Sequence, residues 1–113
     1  MWFYSTALTS SDYGLFGQYY ATTQDQSLHY LIRNYSLYLG FFLDDLSGAT
    51  IIQINTWYHV AFVYNYSSST QSIYLNGKLD SNRISYSAYK GSPGVIVIGK
   101  TEQVLGSPHY FNG

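Results

Sequence analysis

Five aspartates and one glutamate are the only acidic side chains in this 113-residue chain, so any carboxylate chemistry must come from them. Hydrolysis of a glycosidic bond uses two carboxyl groups flanking the scissile oxygen. Strand-borne acids of that kind would show as an alternating Glu-x-Asp-x-x-Glu layout, and the sequence has none. Asp44-Asp45 is the one acidic pair. On a strand the two would point to opposite faces. At a turn both can face outward, either as a solvated corner or as calcium ligands, since carboxylates and carbonyls at a loop tip suit that ion. His29, His59 and His109 have no metal-ligand spacing, and His59 lies in an apolar run that suggests a neutral, hydrogen-bonded core imidazole. There is no Gly-x-Ser-x-Gly elbow. Gly14-x-x-Gly17 and Gly91-x-x-Gly94 lack the Lys-Ser/Thr ending of a phosphate loop. The expectation is a protein that is not an enzyme.

Fourteen tyrosines are then the main carriers of chemistry. An exposed ring with a polar tip suits a sugar or a protein partner. Tyr19, Tyr20 and Tyr66 fall at predicted turns and are the ligand-binding candidates. Tyrosine is also a favoured strand residue, so the alternative is that these rings cap the edges of a core. Two Asn-x-Ser sequons, Asn34-Tyr35-Ser36 and Asn65-Tyr66-Ser67, lie at predicted turns and make Asn34 and Asn65 glycosylation candidates.

The elements that position these residues read as strands. Turn-forming clusters break the chain at Thr9 to Asp12, Thr22 to Ser27, Asn34 to Ser36, Asp44-Asp45, Asn65 to Thr70, Asn76-Gly77, Ser81-Asn82 and Gly91 to Gly94. Between them lie β-rich runs of roughly 5 to 9 residues, the spacing of a sandwich or barrel. Strands are expected at 2–8, 14–20, 28–34, 37–43, 49–53, 57–64, 71–76, 78–87, 94–99 and 109–112. Residues 28–43 fit a helical stripe as well as two alternating ones. Dense aromatics, Gly40 and the Asn34-Tyr35-Ser36 turn favour a hairpin. Asn76-Gly77 suits a two-residue hairpin turn, which needs positive φ at both positions. Trp57 to Tyr64 is apolar on both parities, as is Val95 to Ile98, which predicts central strands covered on both faces. Lys78 to Tyr89 is broken by polar residues and suits an edge or a half-solvated strand.

Composition narrows the partners. Only 10% of residues are charged, the net charge is −1, and the five basic residues (Arg33, Lys78, Arg83, Lys90, Lys100) are scattered. That gives no electrostatic footprint for nucleic acid or for an anionic membrane. The 46% hydrophobic content can form a core and argues against disorder. Without cysteine there are no disulfides or thiolate metal sites. No segment has a signal-peptide layout or the length of a membrane span. Met1 runs directly into strand-like Trp2-Phe3-Tyr4, as where a start lies inside a domain or a chain is taken from something longer.

The second half resembles the laminin G-like, pentraxin-like jelly rolls of the concanavalin A-like lectin/glucanase superfamily. The resemblance rests on Trp57-Tyr58-His59-Val60-Ala61, Tyr64, the loop Ser67 to Thr70, Tyr74-Leu75-Asn76-Gly77, Gly91 to Gly94, Ile98-Gly99 and Phe111-Asn112-Gly113, in matching order. Trp2-Phe3-Tyr4 resembles an early strand. The resemblance implies an all-β fold of two antiparallel sheets packed face to face, with residues 1–113 as a single, partial domain. In relatives Phe-Asn-Gly leads into a further strand, so the expectation is a truncated domain with unpaired backbone groups at one ladder. It also implies a non-catalytic recognition module for carbohydrate or a cell-surface or matrix protein, sometimes calcium-assisted. Such a module would sit outside the cell beside neighbouring domains. The rivals are a fragment of a glycoside hydrolase of the same fold and a structural spacer without a ligand.

Overall fold

The computed structural model describes residues 1–20, 22–102 and 106–113. The described residues form eleven strands: β1 (Trp2–Tyr4), β2 (Tyr13–Gln18), β3 (Leu28–Arg33), β4 (Ser36–Gly40), β5 (Asp45–Ile51), β6 (Trp57–Asn65), β7 (Thr70–Leu75), β8 (Lys78–Ile84), β9 (Ile96–Ile98), β10 (Lys100–Glu102) and β11 (Pro108–Tyr110). They form an antiparallel sheet ordered β1-β6-β7-β8, a second ordered β5-β4-β3-β2-β9, and a small β10-β11 pair. Among the described residues no helix is long and apolar enough to cross a membrane.

Residues 28–43 are a hairpin, and the turn explains why. Asn34 and Tyr35 both take positive φ, at 48° and 65°, and join β3 to β4 in the tight geometry that matches strand twist. Asn76 and Gly77, at 50° and 78°, do the same between β7 and β8. The alternating residues Ile32, Leu37, Leu39 and Phe41 face Phe3, Tyr58, Val60 and Ile73 in one core, with Tyr30 and Phe62 stacked at 4.7 Å. Leu43, within the strand expected at 37–43, lies outside that stripe. The strand ends at Gly40, and Leu43 sits in the following turn at φ 60°, 64% exposed.

Two further expectations are corrected. β6 does lie inside its sheet, but only its Tyr58 and Val60 face is buried; Trp57 is 61% exposed and Val63 is also on the surface. Val95 to Ile98 is not central: among the described residues β9 pairs only with β2 and leaves Ile96 and Ile98 at 60% and 74% exposure. An apolar run on both parities signals two hydrophobic faces, and the second need not be covered by the same domain. β8 is an edge, as its polar residues suggest.

The two long edges of the sandwich differ. On the β5/β8 side, the Asp80 carboxylate accepts hydrogen bonds from the Ala49 and Thr50 amides at 3.0 and 3.1 Å, lacing the sheets together. The β1/β9 side has an open apolar groove of about 350 Å³. Outside β2 and β3, the β10-β11 pair lies directly on Gly14 and Gly17, where backbone meets backbone; any side chain there would collide with Lys100 and Thr101.

Candidate functional site

The β1–β6 register sets Trp2 opposite His59, Phe3 opposite Tyr58 and Tyr4 opposite Trp57. Strand alternation therefore sorts these six residues onto two faces. Phe3 and Tyr58 turn inward, are buried and stack at 5.5 Å. Trp2, Tyr4, Trp57 and His59 share the outer face. There the Trp2 and His59 rings meet edge-on at 5.1 Å, and Tyr4 and Trp57 meet at 5.4 Å. Such ring pairs contribute about 0.5–1.5 kcal/mol beyond area burial, enough to hold the side chains in one arrangement.

Polar groups border the rings. Asn76 Oδ1 accepts the His59 backbone N–H at 2.9 Å, which fixes the amide beside the imidazole. Tyr4 donates its hydroxyl to Asn55 Oδ1 at 3.4 Å. Trp2, Trp57, His59, Asn76 and Gly77 line one shallow, open depression. It is flat, aromatic and contains no carboxylate. Both indoles are more than 60% exposed, which is unusual for tryptophan on a free surface. Chemically this surface can stack the C–H face of a sugar ring and bond its hydroxyls at the border.

His59 was expected in the core and lies on this outer face instead, half-buried. Its strand parity is opposite to that of the buried Tyr58 and Val60. The sequence does contain the signal that finds this site. Trp2/Tyr4 and Trp57/His59 alternate against Phe3 and Tyr58, and one set of each strand must point away from the core.

Apart from Asn34, the sequence candidates lie at the other end of the sandwich. There the β2–β3, β4–β5 and β6–β7 connections meet residues 85–95. Tyr19 is half-buried and its hydroxyl lies 3.0 Å from Thr22 Oγ1. Tyr20 and Tyr66 are exposed, on different loops, and do not form a ring pair. Asn34 is exposed at its turn at the opposite end. Asn65 Oδ1 accepts bonds from Ser67 N–H and Oγ at 3.1 and 2.8 Å.

Asp44 is not a solvated corner. It is fully buried, with Oδ1 2.7 Å from Arg83 and Oδ2 accepting from Ser85 Oγ and the Tyr86 and Ser87 amides. Burial alone would raise its pKa, but the donors of Ser85, Tyr86, Ser87 and Arg83 outweigh it and hold the carboxyl below the usual range. Asp45 turns elsewhere and accepts the Phe41 amide at 3.1 Å. The remaining acids are also engaged: Asp12 with Arg33, Asp25 with Ser87 and Lys90, Asp80 with strand β5, and Glu102 with Lys100. Among the described residues no three His, Cys, Asp or Glu side chains converge as a metal site would require.

The family model of the concanavalin A-like lectin/glucanases superfamily for laminin G-like domains matches residues 1–113. The chain belongs to this laminin G-like family. Its two antiparallel sheets agree with the match along the whole length. No curated protein matches the chain. Laminin G-like domains generally bind carbohydrates or proteins and are commonly extracellular, although the superfamily also includes glycoside hydrolases.

Proposed function

We propose that this laminin G-like domain is a non-catalytic recognition module that binds carbohydrate on the Trp2, Tyr4, Trp57 and His59 face. The observation that carries the reading is the pair of indoles held exposed on one flat face, at 65% and 61%. Side chains of that size are normally covered, and a sugar's apolar face is a complementary cover. The six acidic side chains support the non-catalytic reading, because each is engaged in a structural bond and none faces a second carboxylate across an open cleft. Such a module works outside the cell as part of a larger protein, where the sequons at Asn34 and Asn65 would be open to glycosylation.

Calcium is not needed for binding on this face, which has no carboxylate to hold the ion. A glycan array probed with and without a chelator tests both points. Binding to neutral glycans, retained in chelator and lost in Trp57→Ala, is the expected result. Equal binding by the variant, or no glycan bound, overturns the reading.

A further inference from the structure

We propose a covalent self-modification site at the β7–β8 turn: the Gly77 amide nitrogen attacks the side-chain amide of Asn76, and the ring that forms opens to an aspartyl or isoaspartyl residue. Leu75 pairs with Lys78 across this turn, so Asn76 and Gly77 stand outside the ladder, exposed and at φ 50° and 78°. The electrophile is already held in place. Asn76 donates its backbone N–H to His59 O at 2.8 Å and accepts the His59 N–H on Oδ1 at 2.9 Å. A backbone donor at that distance polarises the Cγ carbonyl and meets the negative charge that grows on Oδ1 as a nucleophile adds. Nδ2, the leaving group, has no hydrogen-bond partner among the described residues.

The nucleophile is equally open. Beyond its chain neighbours, no atom lies within 4 Å of where a Gly77 Cβ would stand, so the turn has room to rotate the nitrogen onto Cγ. Asn34, in the other tight turn, precedes Tyr35, while Asn55, Asn65 and Asn82 precede Thr56, Tyr66 and Arg83. Each of those side chains crowds the amide that would have to attack. Asn112 does precede a glycine, but Ser5 Oγ and the Thr6 amide bond its carbonyl at 3.1 and 3.0 Å, and Gly113 packs against Tyr4 and Phe111. An unshielded nucleophile and a polarised, free-standing side-chain amide coincide at Asn76.

The step balances without a cofactor. As the bond from the Gly77 nitrogen to Cγ forms, that nitrogen loses its proton; the Cγ–Nδ2 bond breaks and Nδ2 leaves as ammonia with a proton gained. Water then opens the cyclic imide at either carbonyl. One water is consumed, one ammonia is released, and no atom changes oxidation state. The new carboxylate appears on the border of the depression lined by Trp2, Trp57 and His59, which has none of its own. The chemistry stands apart from the sugar-binding reading, but its consequence rests on that reading: an uncharged glycan surface gains a negative charge beside His59.

The test is storage of the purified domain in mildly alkaline buffer, followed by peptide mapping with isoaspartate detection. Asn76 should convert at least as fast as the capped peptide Tyr-Leu-Asn-Gly-Lys-Leu, because the His59 donor offsets the restraint of the turn, and about tenfold or more faster than Asn112. Gly77→Asp keeps the positive φ with a residue that tolerates it and sets a side chain beside the nitrogen, so conversion at Asn76 should slow about tenfold or more. Slower conversion in the domain than in the peptide would show that the turn protects Asn76 and would overturn the proposal. A matching rate at Asn112, or in Gly77→Asp, overturns it as well. Glycan binding is read on freshly prepared protein, so failure of the sugar reading and failure of this chemistry are told apart.

Discussion

Trp2 stands directly across the β1–β6 ladder from His59, and the two rings meet edge-on at 5.1 Å on the outside of the sandwich. Tyr4 and Trp57 repeat the arrangement one pair along. The ladder thus positions the whole aromatic face without a loop contributing to it. A face built on two hydrogen-bonded strands is held more rigidly than one carried on loops.

Stability and binding should separate cleanly at Trp57. Its ring is mostly in water, so Trp57→Ala is expected to cost less than about 1 kcal/mol in urea unfolding. Loss of glycan binding in that variant would then report a lost contact rather than lost structure. A large drop in the unfolding midpoint would instead give Trp57 a structural role.

Acid should destabilise the domain in two stages. His29 is buried, 3.2 Å from Thr101 Oγ1 through Nδ1, and its Nε2 has no hydrogen-bond partner among the described residues. Burial, and then the charge of Arg33, lower its pKa to about 4; Asp12 opposes this and His109 adds to it. The unfolded chain, with an ordinary imidazole, binds the proton more readily. Stability is therefore complete above pH 6.5 and declines as the pH falls toward about 4, by about 3 kcal/mol in total. Asp44, whose carboxyl is held low, contributes a further loss only at more acidic pH. Unfolding midpoints at pH 7, 5.5 and 4.5 should fall for the wild type and stay nearly level for His29→Gln. Parallel declines in both proteins would dismiss this account.

How legible the fold was depends on which signal each residue carried. Turn chemistry was decisive at Asn34-Tyr35 and Asn76-Gly77, because positive φ is a local requirement met by local residue types. The β4–β5 turn was harder to read, since Phe42 and Leu43 take positive φ with apolar side chains that signal strand. Strand β10 was missed for a similar reason: Lys100–Glu102 is short and polar, and it pairs because Gly14 and Gly17 leave room for it. The aromatic face stayed hidden because hydrophobicity alone cannot tell a covered ring from one awaiting a ligand. Only the register showed that Trp2 and Trp57 share an outward side.

Asp44 should matter more to folding than any other acid. Asp44→Ala would leave Arg83 without its carboxylate and the Ser85 to Ser87 segment without its anchor. Breaking a buried, hydrogen-bonded ion pair from one side costs about 3 kcal/mol or more. Adding calcium should not restore the loss. Full recovery with calcium in a thermal melt would mean that the carboxylate had been a metal ligand.

Leu43 offers a stabilising change. A branched side chain at φ 60° costs roughly 1–2 kcal/mol, and this one gains little from packing because it is largely in water. Leu43→Asn keeps the conformation with a residue that tolerates it, so the melting temperature should rise by a few degrees, about 1 kcal/mol. A fall would show that the exposed leucine packs on something the turn geometry does not reveal.

Gly17 couples the outer strand pair to the acid response. A methyl group there would sit 2.7 Å from Lys100 O and 2.8 Å from Thr101 Cα, and both are backbone atoms that cannot swing aside. Gly17→Ala should therefore push β10 off the sheet at a cost of about 2 kcal/mol. Because Thr101 travels with β10, its contact with His29 would open and water would reach the imidazole. The His29 pKa, followed by NMR titration, should then climb from about 4 back toward 6.5. A destabilised variant whose His29 still titrates near 4 would show that burial by β3 and β4 alone, without the outer pair, keeps the ring neutral.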